Sequence, residues 1–186
     1  YGRSVLHFDR RGRKLLLFGN GASPEGNRPF VDEYDIRTGK TDRLWRSEAP
    51  YFENPLRVLD MERGLIITTR QSVDQRPNYF IRDLRRNRLT QITDLPDPSE
   101  HIKNMGKELI HYERNDGIPL SGTLYLPEGF RPGIDAPLPT ILWAYPREFK
   151  SADAAGQVTG SPYTYTRLGA TSVVMLVTQG YAVLDN

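Results

Sequence analysis

The 186-residue chain is 38% apolar and 26% charged with a formal net charge of +2, the balance of an ordinary globular protein. That charge gives no electrostatic case for nucleic acid or a membrane surface as partner, and the longest apolar run, Val173 to Val177, is far short of the ~18 residues that span a bilayer. With no cysteine there is no disulfide framework, thiolate metal site or thiol nucleophile, while the compartment stays open.

In chain order, strands are expected at 4–9, 14–19, 30–36 and 41–46, and again at 56–60, 64–70, 78–84 and 88–93. The two sets echo each other. "PFVDEYDIRTGKTDRLW" (29–45) overlays "PNYFIRDLRRNRLTQIT" (77–93) with Pro29 on Pro77, Asp35 on Asp83, Ile36 on Leu84, Gly39 on Asn87 and Leu44 on Ile92. Glycine and asparagine enter the left-handed region at low cost, as a tight hairpin requires. A proline just before a strand removes a donor where the ladder has not begun. Upstream, "SVLHFDRRGRKLLLFGN" (4–20) matches "LRVLDMERGLIITTR" (56–70), each with an acidic turn closed by Gly12 or Gly64. The arginine clusters at 9–14 and 85–88 fall on these turns and read as solvated charge rather than a phosphate patch.

Four antiparallel strands in ~45–50 residues describe a propeller blade. An eight-stranded sandwich is the rival, but it gives no reason for the repeat. Two blades alone would leave wet faces and unpaired edges, and both chain ends, at Tyr1 and Asn186, look cut. A portion of a longer protein is therefore expected.

Residues 96–107 read as a linker, after which the pattern changes. "ELIHYERNDGIPLSGTLYLP" (108–127) predicts a hairpin turning at Asn115-Asp116-Gly117. "LPTILWAY" (138–145) predicts a short strand buried on both faces. A helix is expected within 166–180, with Thr171 or Ser172 as N-cap and Gly180 as stop, then a strand at 181–185. Strand, loop, helix and strand make the entry to an α/β sheet.

In such sheets ligand chemistry gathers at the carboxyl ends of strands. The loop "WAYPREFKSADAAGQVTGSP" (143–162) starts at one. Acyl transfer needs a fixed donor where negative charge develops. Tyr145, a rigid hydroxyl at the strand end, is the candidate; a packing aromatic with a wet hydroxyl is the alternative.

The segments "DGIPLSGTLYLPEGF" and "LPTILWAYPREFKSADAAGQVTGSP" resemble the prolyl oligopeptidase family of serine peptidases, and most narrowly its glutamyl endopeptidase branch. The resemblance implies a mixed architecture: 1–95 as the last blades, about two, of a β-propeller, and 108–186 as the N-terminal portion of an α/β-hydrolase domain. It implies a peptide substrate, hydrolysis by a Ser–Asp–His triad, and an oxyanion role for Tyr145. Many relatives follow that tyrosine with small residues; this chain has Pro146 and Arg147.

No G-x-S-x-G nucleophile motif occurs: "TGSPY" around Ser161 and "GATSVV" around Ser172 both fail it. His7, His101 and His111 have no triad-like setting. The resemblance puts the triad after Asn186, so these residues alone are expected to be inactive. Specificity after Glu would need a cation for the side-chain carboxylate. Arg147 and Lys150 are candidates, with pairing to Glu148 and Asp153 as the alternative. Dipeptidyl, acylaminoacyl and oligopeptidase activities, a non-catalytic peptide binder and a small-molecule esterase remain open. No cofactor and no metal are implied, and the remainder of the same polypeptide is the expected partner.

Overall fold

The computed structural model describes residues 6–97, 104–144, 151, 160–169 and 171–185. Among them the chain forms three sheets and one 3₁₀ helix. It divides into two compact units: Tyr1–Gly21, Arg28–Ser72 and Arg76–Pro96 in the first, Ala22–Asn27, Val73–Gln75 and Asp97–Asn186 in the second.

In the first unit, β1 (Lys14–Gly19), β2 (Phe30–Asp35) and β3 (Thr41–Arg46) form one antiparallel sheet in chain order. A second follows the same rule with β4 (Phe52–Asp60), β5 (Leu65–Gln71), β6 (Asn78–Asp83) and β7 (Arg88–Gln91). The turns explain why. Asp35, ending β2, accepts the backbone N–H groups of Arg37 (2.9 Å) and Thr38 (3.2 Å). Asp83, ending β6, does the same for Arg85 and Arg86, both at 3.0 Å. These side-chain loops mimic a backbone turn. Gly39 (φ 71°) and Asn87 (φ 48°) then take the left-handed step the overlay predicts, as do Gly12 and Gly64 at the upstream turns. Pro29 and Pro77 each stand immediately before a strand.

Two strand expectations need correction. Residues 6–9 give only an isolated bridge, Phe8 to Leu15, so the first sheet has three strands among the described residues. And β4 starts at Phe52 rather than 56, running through Pro55. A proline is tolerated there because β4 is the edge of its sheet and its register shifts directly after Pro55.

The core of this unit is only partly apolar. Val31 and Ile66 are fully buried, each worth about 1.5–3 kcal/mol, and Thr68, two residues on from Ile66, is equally buried. Beside them Glu53 is 3% exposed and Arg82 8%. Glu53 accepts Arg82 Nε at 2.7 Å and Nη2 at 2.6 Å, and the Thr68 hydroxyl at 2.8 Å. Arg82 Nη1 donates to Asn87 Oδ1 at 3.0 Å, and its guanidinium carbon lies 4.8 Å from the Trp45 ring centre. The pair is satisfied on every side, as a buried charge must be.

In the second unit, β8 (Gly106–Glu113) and β9 (Pro119–Leu126) form the expected hairpin, with Gly117 at φ 82° in its turn. β11 (Ala182–Asp185) pairs antiparallel with β9 and parallel with β10 (Thr140–Trp143), giving the order β10-β11-β9-β8. A parallel neighbour requires a crossover. The 3₁₀ helix Val173–Gln179 lies within it, capped at Ser172 and ended by Gly180 at φ 85°. The helix is shorter and tighter than the sequence pattern suggests. Its side chains Val174 and Val177 pack with Tyr125 and Val183 into the core. The expected burial of β10 on both faces is not found: Leu142 is 64% exposed and Trp143 54%. β10 is the sheet's edge strand, and of its residues only Ile141 packs against the core.

Candidate functional site

The parallel register pairs Trp143 with Asp185, so the carboxyl ends of β10 and β11 reach the same edge of the sheet. This is the edge from which the loop of 143–162 departs. Tyr145, Arg147 and Lys150 lie outside the described residues, as do Pro146, Glu148, Asp153 and His101. His7 and His111 are exposed, and His111 stands on β8 opposite Ser121. Ser172 is the helix cap, with no side-chain capping bond.

The far end of the loop is described and is firmly tied. Gly160 takes φ 86°, and its carbonyl accepts the backbone N–H of Asn27 at 2.6 Å. Ser161 is buried; its carbonyl accepts the Thr164 hydroxyl at 2.9 Å and its own hydroxyl oxygen accepts the Tyr163 N–H at 3.3 Å. That setting makes Ser161 a turn residue rather than an exposed nucleophile. Tyr165 donates its hydroxyl to Asp97 at 2.5 Å.

Lys107, on β8, donates to the carbonyl (2.6 Å) and the hydroxyl (2.8 Å) of Thr164, with its ammonium 5.8 Å from the Tyr125 ring centre. Burial pushes its pKa down to about 8. Burial, and then the charge of Asp185, push the Tyr125 phenol up against the opposing pull of its hydrogen bond with Thr166. This polar cluster holds residues 163–166 against the hairpin. Sequence reasoning passed over Lys107, which reads as an ordinary surface charge at a strand end. The signal available was its place two residues before Leu109, on the same face of β8. Among the described residues no group of three His, Cys, Asp or Glu side chains could hold a metal ion.

No family model matches the chain. It is 42% identical over 180 residues to a protein of Oryza sativa subsp. japonica named "Probable glutamyl endopeptidase, chloroplastic", covering 92% of this chain and 19% of the relative. An Arabidopsis thaliana protein of the same name is 41% identical over 183 residues, covering 94% of this chain and 19% of its own length. The chain thus spans about a fifth of the curated relatives it matches. Among solved structures, Porphyromonas gingivalis dipeptidyl peptidase 4 shares the fold with a TM-score of 0.57 at 16% identity, covering 98% of this chain and 24% of that one.

Proposed function

We infer that this chain, a relative of the glutamyl endopeptidases of the prolyl oligopeptidase family, is part of a serine peptidase. Residues 1–95 are read as the last blades of a propeller, 96–107 as a linker and 108–186 as the start of an α/β-hydrolase domain. The observation that carries the reading is the 42% identity, which runs over 92% of the chain and so through both halves. The mixed sheet supports it. A hairpin followed by one parallel pair, joined by a crossover that carries a 3₁₀ helix, fits the entry to an α/β domain.

In this reading a serine beyond Asn186 attacks the scissile carbonyl, a histidine takes the serine's proton and returns it to the leaving amine, and an aspartate holds the histidine. Tyr145 donates its hydroxyl to the oxygen as it becomes negative. In sequence it comes two residues after β10, and in sheets of this class such chemistry gathers at the carboxyl ends of strands. Arg147 meets the carboxylate of a substrate Glu, and Lys150 adds positive charge to the same loop. The reaction uses no cofactor, and the substrate is a peptide.

The test uses the full-length protein. A serine-reactive phosphonate should label it, and a Glu-containing peptide should slow the labelling. Tyr145→Phe should lower kcat by about 10²–10³, the cost of one oxyanion donor. Arg147→Ala should reduce turnover of Glu substrates more than of Gln substrates. Absence of labelling would leave a peptide binder instead of a peptidase; equal losses on both substrates would remove Arg147 from specificity.

A further inference from the structure

The first unit contains a cavity of about 510 Å³ whose wall includes Trp45, Arg46, Tyr51, Glu53, Arg70 and Arg82. This is the size of a small-ligand site. Its three guanidinium groups are not equivalent. Arg82 is fully engaged by Glu53 and Asn87. Arg70 lies over Tyr51, its guanidinium carbon 3.3 Å from that ring centre and 5.8 Å from that of Phe80. A guanidinium over a ring still has N–H donors to offer a planar acceptor. Among the described residues the ion pairs involve other side chains than Arg70. Arg46 has its Nε buried with no hydrogen-bond partner. A native chain rarely leaves such a donor unmet, since the desolvation is not recovered. The other carboxylate on the wall, Glu48, is exposed and pairs with neither arginine among the described residues.

We propose that this cavity is a binding site for the carboxylate of an acidic peptide, held between Arg46 and Arg70. A carboxylate is planar and accepts two parallel N–H bonds from an arginine edge. Arg46 lines the same wall and adds the positive charge of its guanidinium. Trp45 and Tyr51 supply apolar wall for the methylene stem of a Glu side chain, which a bare inorganic anion would not use. The site lies in the first unit and adds a role to arginines that the peptidase reading leaves unassigned.

Binding is read directly, so the outcome does not depend on cleavage. Full-length protein is treated with the serine-reactive phosphonate and titrated with a fluorescein-labelled peptide bearing two Glu residues, and with its Gln counterpart. The Glu peptide should bind at least about tenfold more tightly, a modest return for one charge-assisted bidentate contact. Arg46→Met and Arg70→Met should each remove that preference while leaving the Gln peptide unchanged. Arg70→Lys, which keeps the charge but not the planar edge, should recover only part of it. That variant also decides the matter should a Met variant fail to fold. Equal binding of the two peptides, or a Glu preference that survives Arg70→Lys and both Met variants in full, would overturn the proposal. Displacement of the Glu peptide by inorganic phosphate at matching concentrations would overturn the peptide assignment, reducing the cavity to a general anion site. Failure of the phosphonate to label the protein would count against the peptidase reading and leave this titration intact.

Discussion

Removing the carboxylate of Glu53 should be among the most damaging single changes in the first unit. In Glu53→Ala, Arg82 loses both bonds to that carboxylate and Thr68 loses its acceptor, at sites 8% and 0% exposed. A buried cation stripped of its partner costs about 3–5 kcal/mol. At about 1.4 kcal/mol per factor of ten, that is roughly two to four powers of ten in the opening equilibrium. Amide hydrogen exchange of the full-length protein reads this locally, through the amides of β4, β5 and β6. The double variant Glu53→Leu/Arg82→Leu should be much milder than the sum of its single changes, because no charge is left behind. A Glu53→Ala cost under about 1 kcal/mol, or additive losses in the double variant, would mean that the pair is not desolvated as described.

Gly39→Ala should cost about 1–2 kcal/mol from backbone strain alone, since φ is 71° and an added methyl meets nothing within 4 Å; Gly39→Asn should cost less, read by urea unfolding. The Arg13 guanidinium, with help from the Arg37 and Thr38 N–H groups, holds the Asp35 carboxyl well below the usual range. Its stabilisation is therefore present at neutral pH and is lost as pH falls below about 4, and Asp35→Asn should flatten that acid limb in a pH series of melting temperatures. Lys107 has the opposite sense: its folded pKa of about 8 is below the unfolded value. The unfolded chain then holds more protons between pH 8 and about 10, so stability rises with pH across that window, and Lys107→Met should abolish the rise.

The hairpins of the first unit were legible because their instructions are local. Asp35 and Asp83 act on N–H groups two and three residues away, and Gly39 and Asn87 satisfy a requirement of their own backbone. The Glu53–Arg82 pair was not legible, because the two partners are separated by 29 positions and each reads as surface charge. Strand parity carried a trace of it: Arg82 points to the same side as buried Phe80, and Glu53 to the same side as buried Pro55. β10 misled for a different reason. "TILW" is apolar enough for a buried strand, but burial is decided by neighbours that no single strand encodes. Tyr145, Arg147 and Lys150 rest on the strand-end argument and the family resemblance.

The two aspartate clasps also bear on how the chain comes together. Each closes a loop of a few residues and joins strands adjacent in sequence, so little chain entropy opposes it. Synthesis delivers about 5–20 residues per second, whereas a hairpin forms in microseconds. Strand pairing can thus keep pace with emergence of the chain, and the glutamate–arginine lock, whose partners sit on β4 and β6 of one sheet, closes when β6 joins β5.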